Sequence, residues 1–145
     1  METVKIKKTH SDAIIPEYKT IGSSGMDVSS LNDYDLYPGQ VQAISTGLSF
    51  EIPEGFEIQV RSRSGLALKN KISVLNSPGT VDSDFRNEVK VILINNNFKG
   101  EPFKIKKGDR IAQFVLAKVE KMQFEIVDEL NVTERNMGGF GSTGV

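Results

Sequence analysis

The sequence predicts an all-β domain, and three observations point there. Apolar residues recur mostly at every second position, the period of a half-buried strand. Turn signals built on Pro, Gly and Asn separate the runs at regular spacing. Only one short stretch strings good helix formers together. Strands at this spacing suggest a sandwich, a jelly roll or a barrel.

Taken in chain order, Met1-Glu2-Thr3-Val4-Lys5-Ile6-Lys7-Lys8 has no apolar run like a signal peptide's core. Ser23-Ser24-Gly25-Met26-Asp27-Val28 reads as a tight turn leading into a strand. Tyr37-Pro38-Gly39-Gln40 is a turn with Pro at its second position. Ile52-Pro53-Glu54-Gly55-Phe56 reads as a hairpin tip, after which Phe56, Ile58 and Val60 alternate with Glu57 and Gln59 as a strand. The one helix falls around Gly65 to Asn70, on Leu66-Ala67-Leu68-Lys69. Asn76 to Lys90 reads as a polar hairpin. It runs into Val89 to Ile94, β-branched and nearly all apolar, a central strand covered on both faces. Asn95 to Gly100 and Lys106-Lys107-Gly108-Asp109 are further turns. Ile111 to Val119 is another strand, and Phe124 and Ile126 around Glu125 suggest a last one. From Asn131 to Val145 the chain carries Gly138, Gly139, Gly141 and Gly144, too much glycine to hold a strand cheaply. We read a domain over residues 1–130 and a flexible arm over 131–145. A frayed tail fits the same composition.

The 145 residues suit a single domain. With 18 basic and 19 acidic residues, a net charge of −1, the chain has no electrostatic footprint for a nucleic-acid polymer. No stretch approaches the roughly 18 apolar residues of a membrane helix. Cysteine is absent, which removes disulfides and thiolate metal sites and suits a reducing cytoplasm, the expected location. His10 is the only histidine, near a terminus, and there is no Ser-His-Asp set, zinc motif or P-loop.

Several segments mix glycine with charge or hydroxyl groups, and each has a plain structural reading beside a functional one. Asp27 suits a local turn hydrogen bond. Arg61-Ser62-Arg63-Ser64-Gly65-Leu66-Ala67 joins an arginine fork, a serine and a helix start, which suits a phosphate; a solvated strand end capped by Ser64 fits equally. In Asn76-Ser77-Pro78-Gly79-Thr80-Val81-Asp82-Ser83-Asp84-Phe85-Arg86-Asn87-Glu88, the Asn76 amide can read a base edge. Asp82, Asp84 and Glu88 offer a general base or oxygen ligands, or simply the tip of a hairpin. In Gly108-Asp109-Arg110-Ile111-Ala112-Gln113, Asp109 and Arg110 fit a surface pair, and Gln113 should point inward with Ile111. Arg135 and Phe140 on a mobile arm could close over a ligand, the ring stacking and the guanidinium meeting phosphate.

In this order and spacing the segments resemble the five motifs of the trimeric dUTP diphosphatases (dUTPases). Gly25-Met26-Asp27-Val28 looks like the first, Arg63-Ser64-Gly65-Leu66-Ala67 like the second, and Gly79-Thr80-Val81-Asp82-Ser83-Asp84-Phe85-Arg86 like the third. Gly108 to Gln113 looks like the fourth, and Gly138-Gly139-Phe140-Gly141-Ser142-Thr143-Gly144, with Arg135 ahead of it, like the fifth. The resemblance implies a jelly-roll-like β-clip or distorted barrel with one short helix, assembled as a homotrimer whose sites are shared between subunits. It implies cleavage of dUTP to dUMP and pyrophosphate, which limits uracil in DNA and supplies dUMP for dTTP synthesis. By position, Asp82 would orient the water that attacks the α-phosphorus. Asn76 and backbone groups of its hairpin would read uracil, with Thr80, Val81 and Lys90 among the substrate-binding positions. Arg63, Ser64, Gly65 and Gln113 would hold phosphates. Arg135 would meet the terminal phosphate, and Phe140 with Gly141 would cover the base. Mg²⁺ would be held mainly by the triphosphate, with Asp27 acting on it through water. A related deaminase group acts on dCTP, but the R-x-x-G-G-F-G-S-T-G arm favours the hydrolase. Phe85 stands where the family commonly has Tyr; its ring can still lie under the deoxyribose and crowd out a 2′-hydroxyl, with one hydrogen bond lost. Asn87 and Asn136 stand where Gly is usual, and Asn tolerates left-handed backbone.

Overall fold

The computed structural model describes residues 2–142. Among these residues lie eleven strands and one helix. They are β1 (Lys5–Lys8), β2 (Met26–Ser29), β3 (Tyr34–Leu36), β4 (Val41–Ser45), β5 (Leu48–Glu51), β6 (Phe56–Arg61), α1 (Ser64–Asn70), β7 (Ile72–Val74), β8 (Gly79–Val81), β9 (Lys90–Asn95), β10 (Phe103–Ile105) and β11 (Arg110–Lys118). All pairings are antiparallel, in a four-stranded sheet β2-β11-β6-β8, a three-stranded sheet β4-β9-β7, and the pairs β1-β5 and β10-β3. No helix among the described residues is long and apolar enough to cross a membrane.

Alternation places the core. Along β6, Ile58 and Val60 are buried while Glu57 and Gln59 are half-exposed. On β9, Val91, Leu93 and Asn95 are buried. Ile92 and Ile94 keep partial exposure, so this strand is covered fully on one face rather than both. Residues of the two larger sheets meet in one cluster, where Phe50 and Phe114 pack edge to face with ring centroids 5.7 Å apart. Asn95 is a buried polar residue with its needs met: its amide donates to the Leu36 carbonyl at 2.9 Å, and its oxygen accepts the Asn97 N–H.

The turns fall where expected, but two do different work. Phe56 N–H closes back on the Pro53 carbonyl at 3.2 Å, yet β5 pairs with β1 while β6 pairs with β11 and β8. Ile52 to Phe56 is therefore a corner between sheets, not a hairpin tip. The Asn76–Lys90 hairpin is likewise not formed, because β8 pairs with β6 and β9 with β4 and β7. Residues 82–89 instead bridge the two larger sheets. Turn chemistry is the same for a hairpin and a corner, and only the pairing partner separates them.

That bridge is pinned at its far end by the β4–β5 turn. Val89 N–H donates to the Leu48 carbonyl at 2.8 Å, Thr46 Oγ1 to the Val89 carbonyl at 2.6 Å, and Gly47 N–H to Glu88 Oε1 at 2.9 Å. Gly47 sits at φ 70°, and a Cβ there would lie 2.8 Å from the Ala13 Cβ. Only glycine meets both demands.

After β11 no further strand forms among the described residues. Phe124 and Ile126 are 83% and 98% exposed. The period there is a strand's, but nothing among the described residues pairs with it, and an unpaired extended segment is not a sheet element.

Candidate active site

Asp27 enters the site from β2, which pairs with β11 so that Gln113 lies opposite it. Gln113 Nε2 donates to Asp27 Oδ1 at 3.2 Å, and Arg63 Nε donates to the same oxygen at 3.2 Å. Arg110 Nη1 donates to Oδ2 at 3.1 Å. Arg63 Nη1 also donates to the backbone carbonyl of Arg110 at 3.1 Å. The Asp27 side chain is 11% exposed, Arg63 23% and Arg110 53%, so a covered carboxylate gathers two guanidiniums and an amide around itself. The local turn bond that Asp27 invites from sequence gives way to these long-range partners.

A bulge in β11 arranges the cluster. The register shifts between Arg110, opposite Ser29, and Ala112, opposite Val28. Ser29 and Asp27 lie two apart on β2 and share a face, so Arg110 and Gln113 share it too. Ile111 and Ala112 both become buried. Gln113 therefore does not follow Ile111 inward, as unbroken alternation would require. Nor do Asp109 and Arg110 pair: Asp109 Oδ2 accepts the Lys106 N–H at 2.8 Å, while Arg110 goes to Asp27. Arg110 is the site residue that sequence reading missed; its only signal was its place inside the fourth motif.

Helix α1 begins at this cluster. Arg63 is its N-cap and makes no side-chain cap bond, so Ser64 is the first helical residue and not the cap. Ser64 and Gly65 are exposed, and nothing lies within 4 Å of a Cβ built at Gly65.

A pocket of about 200 Å³ opens between β8 and β9, and Asn76, Thr80, Val81, Asp82, Phe85 and Lys90 all line it. Val60, Val89 and Ile92 supply an apolar wall. At Gly79 a Cβ would press 3.1 Å from Val60 Cβ and 3.2 Å from Asn76 Nδ2, so glycine lets the Asn76 amide lie against β8. Phe85 N–H closes a turn on the Asp82 carbonyl at 3.2 Å, and Arg86 Nη1 braces it from the Ser83 and Phe85 carbonyls at 2.7 and 3.2 Å. That turn leaves Asp82 on the pocket and Asp84 off its lining.

Apart from Arg135, Phe140 and Gly141, the sequence-predicted residues thus fall into two groups. β2 and β8 are the opposite edges of the four-stranded sheet, three strand spacings or about 14 Å apart. The Asp27 cluster sits at one edge and the pocket at the other. Arg135 and Phe140 join neither group. Arg135 Nε donates to the Gly138 carbonyl at 2.9 Å, and the Phe140 ring is fully exposed on a left-handed backbone, φ 49°. Gly141 is at φ 83° and Asn136 at φ 41°, the left-handed backbone that Asn tolerates. Asn87 does not have a positive φ, so a glycine's freedom is not used there. Thr143 and Gly144 of the fifth motif lie outside the described residues.

No set of three or more His, Asp or Glu side chains converges as metal ligands among the described residues. The donors around Asp27 fit an anion that carries its own cation, since Mg²⁺ commonly relies on substrate phosphates and water.

An all-β chain with a nucleoside-sized pocket and a guanidinium–amide cluster has the makings of a nucleotide-binding domain. Comparison with known proteins makes this specific: the dUTPase family model matches residues 11–144, and the chain belongs to that family. The deoxyuridine 5′-triphosphate nucleotidohydrolase of Nautilia profundicola is 52% identical, over 97% of this chain and 98% of its own. A mutant Staphylococcus bacteriophage 80alpha dUTPase, solved with dUpNHpp, superposes with a TM-score of 0.89 at 26% identity, covering 100% of both chains. A mutant dUTPase from S. aureus phage phi11, described with a structural Mg(II) ion, has a TM-score of 0.80 at 22% identity over 90% of this chain and 100% of its own. That last likeness speaks for the fold alone.

Proposed function

We propose that the protein hydrolyses dUTP to dUMP and pyrophosphate, limiting uracil incorporation into DNA and supplying dUMP for dTTP synthesis. One observation carries the site reading: the pocket gathers Asn76, Thr80, Val81, Asp82, Phe85 and Lys90 around a volume of about 200 Å³. Asn76 offers a donor and an acceptor to the uracil edge. Phe85 lies under the deoxyribose, where its ring leaves no room for a 2′-hydroxyl. Asp82, at the rim, accepts a proton from water as the water oxygen bonds to the α-phosphorus and the bond to the β-phosphate oxygen breaks. Arg63, Gln113, Ser64 and Gly65 take up phosphate oxygens and the charge that grows on them. Mg²⁺, when bound on the triphosphate, supplies further neutralisation of those oxygens, and Asp27 acts on its surroundings through water. Arg135 meets the terminal phosphate, and Phe140 and Gly141, on an arm over residues 131–145, cover the base.

A homotrimer completes the site. The separation of pocket and cluster within one chain favours a nucleotide held between copies. Apolar side chains left in solvent favour partner contact as well, among them Leu68 on a helix with no buried residue, Leu75, Val41, Phe124 and Ile126. The reaction belongs in the cytoplasm, where the nucleotide pool is. Pyrophosphate release, measured in parallel on dUTP, UTP, dCTP and dTTP with Mg²⁺, should be confined to dUTP; intact dUTP after long incubation at high enzyme concentration overturns the proposal. Sedimentation should give three times the 16.0 kDa chain, and a clean monomer would remove the shared site.

A further inference from the structure

We infer that Arg110 is a positioning residue: through Asp27 it fixes the direction in which Arg63 and Gln113 present their N–H donors to a phosphate. The inference rests on the site reading above and adds a residue that reading does not use. An ionised carboxylate only accepts hydrogen bonds, so the end of the Gln113 amide that faces Asp27 must be its NH₂. That contact, 3.2 Å long, settles an amide rotation that otherwise has two near-equivalent settings. The second N–H of the same nitrogen is left for a ligand. Arg63 is held at two points, Nε on Asp27 Oδ1 and Nη1 on the Arg110 carbonyl, which fixes the plane of its guanidinium.

Arg110 governs both partners. Its Nη1 takes Oδ2, the oxygen that Arg63 and Gln113 do not use, so the Asp27 carboxylate cannot turn without losing a bond. Its own carbonyl takes the other grip on Arg63. The bulge is the enabling device, because in an unbroken strand residues three apart face opposite sides. Charge agrees with this role: two guanidiniums around one carboxylate leave an excess of one positive charge beside the donors.

The competing account is a structural tie between β2 and β11, and binding separates the two. Affinity is measured calorimetrically for deoxyuridine and for a non-hydrolysable dUTP analogue with Mg²⁺, on wild type, Arg110→Gln, Arg110→Lys, Asp27→Asn and the double variant Asp27→Asn/Arg110→Gln, with melting temperatures alongside. Arg110→Gln should weaken the triphosphate analogue about tenfold, the scale of one charge-assisted hydrogen bond, and deoxyuridine by less than about twofold. Arg110→Lys should recover most of the loss. Because Arg110 acts through Asp27, the double variant should bind the analogue within about twofold of Asp27→Asn alone. Equal losses for both ligands, unchanged analogue affinity, or additive losses in the double variant overturn the inference. A wild-type protein that neither binds the analogue nor cleaves dUTP defeats the site reading and the inference with it; wild-type binding with an additive cycle defeats the inference alone.

Discussion

Arg63 and Asp27 are joined Nε to Oδ1 at 3.2 Å across 36 residues of chain, from the cap of α1 to the edge strand β2. The bond ties the second motif to the first and places a guanidinium before any ligand arrives. Preplaced charge costs no reorganisation when the transition state forms. Asp27→Asn keeps the shape but leaves Arg63 and Arg110 facing a neutral amide. We expect kcat/KM for dUTP to fall roughly tenfold to hundredfold and stability to fall by about 1–2 kcal/mol, since a mostly covered charge pair is broken. Steady-state kinetics and thermal unfolding check both, and a variant with normal kcat/KM would show the cluster to be purely structural.

Asp82 is exposed at the pocket rim, where its carboxylate can meet water. Asp82→Asn removes the proposed proton acceptor and keeps the size. Turnover should drop by about 10²–10⁴, the range of a general base, while affinity for a non-hydrolysable dUTP analogue stays within a few-fold. Single-turnover pyrophosphate release beside calorimetry separates the two effects. A near-normal rate places the base elsewhere.

Gly47 links the strand framework to the bridge that carries Asp82 and Phe85. Its N–H holds Glu88, while its neighbours Thr46 and Leu48 hold Val89. Gly47→Ala forces a Cβ against Ala13 at φ 70° and should cost about 1–3 kcal/mol. Activity should fall further than at the half-exposed Gly55, where a Cβ meets open space although φ is 84°. Melting curves and kcat for the two alanine variants make the comparison.

Deletion of residues 136–145 removes Phe140, which is fully exposed. The melting temperature should change by no more than about 2 °C, because little apolar surface is lost. Cleavage of dUTP should fall at least about tenfold, because the arm proposed to exclude water and meet the base is gone. A matching fall in melting temperature would contradict this account.

How much of this was legible beforehand differs by residue. Asn76, Thr80, Val81, Asp82, Phe85 and Lys90, named through the motif resemblance, do line one pocket, although the hairpin expected to carry them is replaced by a bridge between two sheets. The partner of Arg110 was not legible, because Asp109 beside it is the obvious ion pair and a bulge leaves no mark in composition. The strand at Phe124 and Ile126 failed for another reason: periodicity reports which side chains want cover, not whether this chain supplies it. Corners and hairpins share turn residues, so the path from β5 to β6 and from β8 to β9 needed the pairings.

The opposite-edge placement of the Asp27 cluster and the Asp82 pocket bears on genetics. In the proposed assembly, whose catalytic centres would each draw on two copies, lesions at Asp82 and at Arg63 damage different halves. Two inactive alleles of this gene, one of each kind, should complement when co-expressed. Statistical mixing would reunite a sound half from each, while two lesions in the same half would never rescue one another.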